Sequence, residues 1–265
     1  MRPVQYYRDG ALPFLELKVC RSQELSYKKH SHEEFSLGIV TQGRSLFWYD
    51  GKTETIQPES LVCLPPGLVH ACNPVDPNAW EYAMLFIDTA WLQAYMEQAD
   101  RFLFRDPIVQ PVVSPEVLST LRQAVAVLTS CAGPLEKEGC VFAIFEQVSC
   151  EQDGRYLAET RDQPQLTKAA EFLQSRFLEP VTLAAMAQAA GLDKFQLIRQ
   201  FNQTFKIPPH TYQTLLRINY AKKALRQNMP IAEVAQEAGF YDQSHFCKAF
   251  KNHTGITPEK YQKLR

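Results

Sequence analysis

The sequence predicts an α+β chain of two domains: a small β-barrel or jelly roll with helices behind it, then an all-α domain. Three observations carry this. Residues 34–88 are a succession of short apolar runs broken by turn signals, and the last hundred residues repeat a helical pattern. Charge also divides unevenly, since residues 1–160 hold 13 basic and 21 acidic side chains while residues 161–265 hold 15 and 8. The whole chain hides this behind a formal net charge of −1. A basic half joined to an acidic one points to nucleic acid as the partner of the basic half.

With 45% hydrophobic and 22% charged residues in 265, the chain is long and apolar enough for two cores, which excludes disorder as its main state. No run of eighteen apolar residues occurs, and the opening MRPVQYYRDG lacks the charged-then-apolar layout of a secretory signal. The expectation is therefore a cytoplasmic protein without a membrane partner. Cys20, Cys63, Cys72, Cys131, Cys140, Cys150 and Cys247 form no C-x-x-C pair, so neither a disulfide scaffold nor a zinc knuckle is implied.

In the first domain, strands are predicted over 35–41, 45–49, 53–56 and 61–64, with turns at Gln42-Gly43, Asp50-Gly51 and Pro65-Pro66-Gly67. Antiparallel strands this short favour a barrel that can enclose a ligand. Behind it, Ser114 and Pro115 start a helix in which Leu118, Leu121, Val125 and Leu128 form an apolar seam. A second helix follows over 135–150, with Phe142, Phe145 and Val148 inward. This seam suits packing on the barrel and suits a homodimer through residues 114–150 equally well. The polar stretch around Glu159, Arg161, Asp162, Gln163 and Pro164 reads as a linker, dividing the chain into 1–155, 156–164 and 165–265.

Leu166, Ala169, Ala170, Leu173 and Phe177 open the second domain as an amphipathic helix. The repeat follows. Ala187-Gln188-Ala189-Ala190-Gly191-Leu192 lies over Ala235-Gln236-Glu237-Ala238-Gly239-Phe240, and Phe201, Ile207, Pro209 and Tyr212 lie over Phe250, Ile256, Pro258 and Tyr261. Each copy reads as a helix, a turn at glycine and a second helix. Thr182, Asp193 and Asp242 are the predicted N-caps, with Gln196 completing a capping box. Ala187 and Ala235, one turn before each glycine, let the two helices approach closely, the layout of a helix-turn-helix. Between the copies, residues 209–226 form one continuous helix with Arg217, Lys222 and Lys223 on its polar side. A strut of this kind can set two reading helices one DNA turn apart, about 34 Å.

Residues 165–265 resemble the twin helix-turn-helix domain of the AraC/XylS family of bacterial transcription regulators. The resemblance rests on both Ala-x-x-x-Gly turns and on the stretch from Gly239 through Lys251, followed by Thr254-Gly255-Ile256-Thr257-Pro258. In the first unit Lys206 stands where the family often has glycine, and Phe195 with Ile198 makes the reading helix more apolar. The sides of the second helices not used for packing supply the base-reading candidates. They are Phe195, Gln196, Ile198 and Arg199 in the first unit and Gln243, Ser244, His245, Cys247 and Lys248 in the second. Arginine can bridge guanine, glutamine can pair with adenine, and an apolar group can meet a thymine methyl. Lys194 and Lys251 are the phosphate candidates.

In the first domain, His30-Ser31-His32 and Pro66-Gly67-Leu68-Val69-His70 resemble the cupin motifs of AraC-type ligand-binding domains. Metal-binding cupins add a glutamate a few residues after the histidine pair, but Ser36 and Leu37 occupy those positions here. The expectation is therefore no resident metal and no cofactor. The histidines then have two readings: hydrogen bonding at the barrel rim, or lining an effector pocket with Gln42, Trp48, Tyr82 and Met84. The resemblance implies a non-enzymatic, ligand-responsive regulator that binds double-stranded DNA and a small-molecule effector, and RNA polymerase if it is an activator. Two other classes fit the same residues, a metal-dependent cupin enzyme fused to a DNA-binding module and a thiol redox sensor using Cys63 and Cys72 or Cys131, Cys140 and Cys150.

Overall fold

The computed structural model describes residues 4–21, 29–76, 79–98, 108–110, 113–150 and 164–264. Of the expected linker, 156–164, residues 156–163 lie outside them, and Pro164 opens a helix rather than closing the linker. The first part contains β1 (Val4–Tyr7), β2 (Leu15–Arg21), β3 (Phe35–Gln42), β4 (Ser45–Tyr49), β5 (Lys52–Ile56), β6 (Leu61–Leu64), β7 (His70–Pro74), β8 (Glu81–Ile87), helix α1 (Thr89–Gln98) and β9 (Ile108–Gln110). The strands form two antiparallel sheets, ordered β1-β2-β8-β3-β6-β9 and β5-β4-β7. At the β4–β5 hairpin Asp50 and Gly51 both take positive φ, 44° and 80°, as a two-residue turn matched to strand twist requires.

The alternation in β2 misleads about its polar face for a physical reason. In β2, Leu15, Leu17 and Val19 alternate with Glu16 and Lys18, which predicts one wet face, yet Glu16 is only 2% exposed and Lys18 5%. The second domain covers that face.

Helices α2 (Pro115–Leu128) and α3 (Pro134–Cys150) pack on the back of the larger sheet. Ser114 caps α2 through its hydroxyl, as expected. Leu118, Leu121 and Leu128 share one core with Leu17, Phe35 and Leu85, and Phe145 and Val148 join it. The apolar seam is thus spent within the chain. Phe142 sits half-buried beside Trp91 and Tyr95.

The second part holds α4 (Pro164–Arg176), α5 (Leu183–Ala190), α6 (Lys194–Phe205), α7 (Pro209–Arg226), α8 (Ile231–Glu237), α9 (Gln243–Thr254) and α10 (Pro258–Gln262). Helices α5–α6 and α8–α9 are the two copies of the repeat. Thr182, Asp193 and Asp242 cap their helices, and Asp193 with Gln196 forms the full capping box. Gly191 and Gly239 take left-handed φ of 65° and 73°. Each copy has its own core. Leu197 and Phe201 meet Met186, Ala187 and Ala190 in the first, and Phe246 and Phe250 meet Val234, Ala235 and Ala238 in the second.

Arg217 of α7 ties the segment between α4 and α5 to the second copy. Its guanidinium donates to the carbonyls of Phe177 at 2.7 Å and Glu179 at 2.9 Å, just after α4, and to that of Gly239 at 2.5 Å, in the turn of the second copy. Arg217 is therefore not an outer-face cation, and neither is Lys222, which is buried against the first domain.

Lys206 ends α6 in the left-handed region, φ 61°, the geometry for which glycine is favoured. It also reaches Asp50 at 3.5 Å. In an Asp50→Asn background, where that pair is absent, Lys206→Gly is expected to raise unfolding free energy by about 1 kcal/mol. Urea unfolding measures it, and a loss of stability would show that this cap carries no strain.

Candidate functional site

Between the two sheets lies a cavity of about 50 Å³, lined by Val40, Phe47, Val62, Leu64, Tyr82, Met84 and Phe86, with Lys18, His30, His32 and His70 supplying its polar groups. Pairing of chain segments brings the histidines together. His30 and His70 exchange backbone hydrogen bonds, amide to carbonyl, at 3.0 and 2.9 Å. Their rings stand 4.4 Å apart, and the His32 ring lies 4.9 Å from His30 and 5.1 Å from His70. One ligand nitrogen from each falls within 4.8 Å of the others. Missing the cupin glutamate, the sequence argued against a ligand set, but three imidazoles converge without it.

Burial pushes the His70 imidazole down to about 4, although its Nδ1 faces the Leu68 carbonyl at 3.0 Å. Burial likewise holds His32 well below 6.5, helped by the positive charge its histidine neighbours would carry. Both rings are neutral at pH 7 and able to donate a lone pair.

Of the expected pocket residues, His30, His32, His70, Tyr82 and Met84 line the cavity, whereas Gln42 and Trp48 do not. Strand alternation explains Trp48. Phe47 and Tyr49 point in, so Trp48 points out, where Lys29 lies 3.5 Å over its ring and Val69 and Tyr212 pack beside it. A register shift between Val40 and Gln42 carries Gln42 to the exposed end of β3. Met84 reaches across Gly38, where a Cβ would meet its Cε at 2.6 Å. This flexible side chain fills space that a ligand could claim.

Burial raises the Cys63 and Cys72 thiols to about 12. They stay protonated at pH 7, which removes the thiolate a redox sensor needs. Cys131 is exposed, burial raises the Cys140 thiol, and the Cys150 side chain lies outside the described residues.

The second surface is the outer side of α6 and α9. Lys194, Phe195, Gln196, Ile198, Arg199, Gln243, Ser244, His245, Lys248 and Lys251 are all exposed, Phe195 by 86%. Cys247 is half-buried against the second core. The Gln196 side-chain oxygen accepts from the Asp193 amide at 3.4 Å, so this residue can pair bidentately with adenine only by leaving its capping box. The His245 ring stands edge-on to Phe240 at 5.4 Å. Tyr241 is 93% exposed in the turn before α9 and was not anticipated. A large aromatic in a turn that no core requires was the available signal.

The two parts meet along α7. Lys222 donates to Glu34 at 2.6 Å, Lys223 to Glu33 at 2.7 Å and Arg226 to Glu16 at 3.0 Å. Glu16 also accepts from Arg8 at 2.6 Å and from the Tyr261 hydroxyl at 3.0 Å. Tyr6 donates to the Thr254 carbonyl at 2.7 Å. Val4, Tyr6, Cys20 and Phe86 share a core with Ile218, Leu225 and Phe250. Burial raises the Glu16 carboxyl, but Lys222, Arg8 and Arg226 outweigh it and hold the group below its ordinary value. Glu34 behaves likewise beside Lys222.

Residues 16–145 match the model of the AraC-like ligand binding domain, and residues 186–264 match that of a helix-turn-helix domain. The chain is 26% identical over 243 residues to an uncharacterized HTH-type transcriptional regulator of Bacillus subtilis, YbfI, covering 88% of this chain and 86% of that one. It is 20% identical over 237 residues to the lactose operon transcription activator of Staphylococcus xylosus, covering 85% and 82%. An apo form of ToxT from Vibrio cholerae shares the fold with a TM-score of 0.62 at 13% identity, covering 95% of this chain and 97% of that one. With both domain matches in chain order and full-length relatives in the same class, the chain belongs to the AraC family of transcription regulators, its ligand-binding domain preceding its helix-turn-helix domain.

Proposed function

We propose that this regulator reads DNA with the outer sides of α6 and α9 and that occupancy of the barrel pocket alters its grip through α7. One observation supports this reading above the others. The helix that carries both reading units is also the helix held by Glu16, Glu33 and Glu34 of the ligand-binding domain, while the reading sides stay open to solvent. An effector that binds one arrangement more tightly by about 1–3 kcal/mol shifts DNA affinity by the same free energy. The cavity as it stands suits an ion or a few waters, and a larger effector enters by displacing Met84.

Catalysis has no part in this reading, and the place of action is the cytoplasm, where the DNA is. The apolar seam of α2 being spent, pairing of two chains through 114–150 would use the exposed surface near Arg122 and Leu135.

Binding-site selection on the full chain, followed by titration of the recovered duplex, tests the reading. No preference for any sequence at physiological salt would defeat it. In the same assay Arg199→Ala is expected to cost about 1–3 kcal/mol of discrimination at one base pair. Lys251→Ala is expected to weaken all duplexes alike and to lower the salt slope by about one. An equal loss on every duplex from both variants would show that Arg199 contacts no base.

A further inference from the structure

We infer that His30, His32 and His70 form a binding site for a divalent transition-metal ion, and that the ion is a signal passed to the DNA-reading domain through the segment 30–34. The inference deepens the regulator reading above and rests on it for its second half. Donor geometry, cavity size and connection to α7 support it.

The first is donor geometry. Three imidazole nitrogens within 4.8 Å of one another need only small side-chain rotations to reach the roughly 3.3 Å spacing of ligands around a tetrahedral zinc. His70 is oriented for this role, because the Leu68 carbonyl at 3.0 Å engages Nδ1 and leaves Nε2 for an ion. The second is size. A cavity of about 50 Å³ is small for a metabolite but ample for an ion and its remaining water. Three neutral ligands leave the ion's charge uncompensated and one position open, which suits a water, a hydroxide or an anionic group.

The third is connection to α7. Two of the three ligands, His30 and His32, stand on the same short segment as Glu33 and Glu34, which grip Lys223 and Lys222 of α7. The His32 ring touches Phe86 edge-on at 4.9 Å, and Phe86 in turn lies 5.6 Å from the Lys222 ammonium and within the core shared by both domains. Drawing His32 toward an ion moves the base of the Glu34 contact.

Cobalt(II) titration of the full chain, followed by visible ligand-field absorption and competed with zinc, tests the site without DNA. One ion per chain is expected, bound at least about 10-fold more weakly by His32→Asn and His70→Asn and unchanged in His210→Ala. His32→Cys, which keeps a ligand, should retain uptake and excludes misfolding as the cause of the asparagine result. No saturable uptake, or equal uptake by the asparagine variants, overturns the site. For the signal, zinc should change the affinity of the wild-type chain for its selected duplex by at least about 5-fold, and Glu34→Gln should abolish the change while still binding cobalt. Uptake with unaltered DNA affinity overturns the signalling half. Absence of sequence preference with and without zinc strikes the regulator reading instead, while the cobalt titration still judges the site.

Discussion

Glu16→Ala is expected to destabilise the full chain by about 2–4 kcal/mol, because it strands two guanidiniums and a phenol around an empty position. Arg8, Arg226 and Tyr261 all converge on this carboxylate, which is 2% exposed. Arg226 keeps 34% of its side chain in water, so the loss should fall short of that for a fully sealed pair. Urea unfolding at pH 7 measures it, and a change below about 1 kcal/mol would mean that the network contributes packing alone.

Acid should reproduce part of this loss. Glu16 and Glu34 have carboxyls held below the ordinary value of 4.5, so their contribution is fully present above pH 4.5 and disappears as pH falls through their depressed values. In Glu16→Gln the unfolding free energy should fall less steeply below pH 4.5 than in the natural chain.

The second large effect separates two glycines that the repeat makes equivalent. Gly239→Ala is expected to cost about 3 kcal/mol or more, because a Cβ there would lie 2.2 Å from the Leu178 carbonyl oxygen. Gly191→Ala meets nothing within 4 Å and should cost only the strain of its left-handed backbone, about 1 kcal/mol. Thermal unfolding of both variants decides it, and equal losses would mean that the loop over Gly239 yields freely.

Local patterns are what the sequence showed clearly. The hairpin at Asp50-Gly51, the caps at Thr182, Asp193 and Asp242, and both glycine turns depend on neighbours a few residues away, and all are found as expected. Features set by distant partners were not legible. Glu16 and Lys222 look like surface charges in any window of sequence, and only the docking of α7 on the barrel buries them together. The pocket divides the same way. Strand alternation puts Phe47 and Trp48 on opposite faces, but with apolar residues on both sides of β4 it does not say which face is inward. The slip that expels Gln42 leaves no trace in its neighbours. Convergence of the histidines depends on the pairing of His30 with His70, which lie forty residues apart in the chain.

Arg217 has one more consequence. By clasping the chain just after α4 and the turn of the second copy at once, it denies the two halves of the domain a swivel. If the outer sides of α6 and α9 read DNA as proposed, a protein built so cannot follow a promoter whose contacted stretches drift apart. Adding a single base pair between them rotates one by about a tenth of a turn relative to the other, and only one could then be held. Mutation can alter the letters in each stretch gradually, but the gap between them is inherited whole.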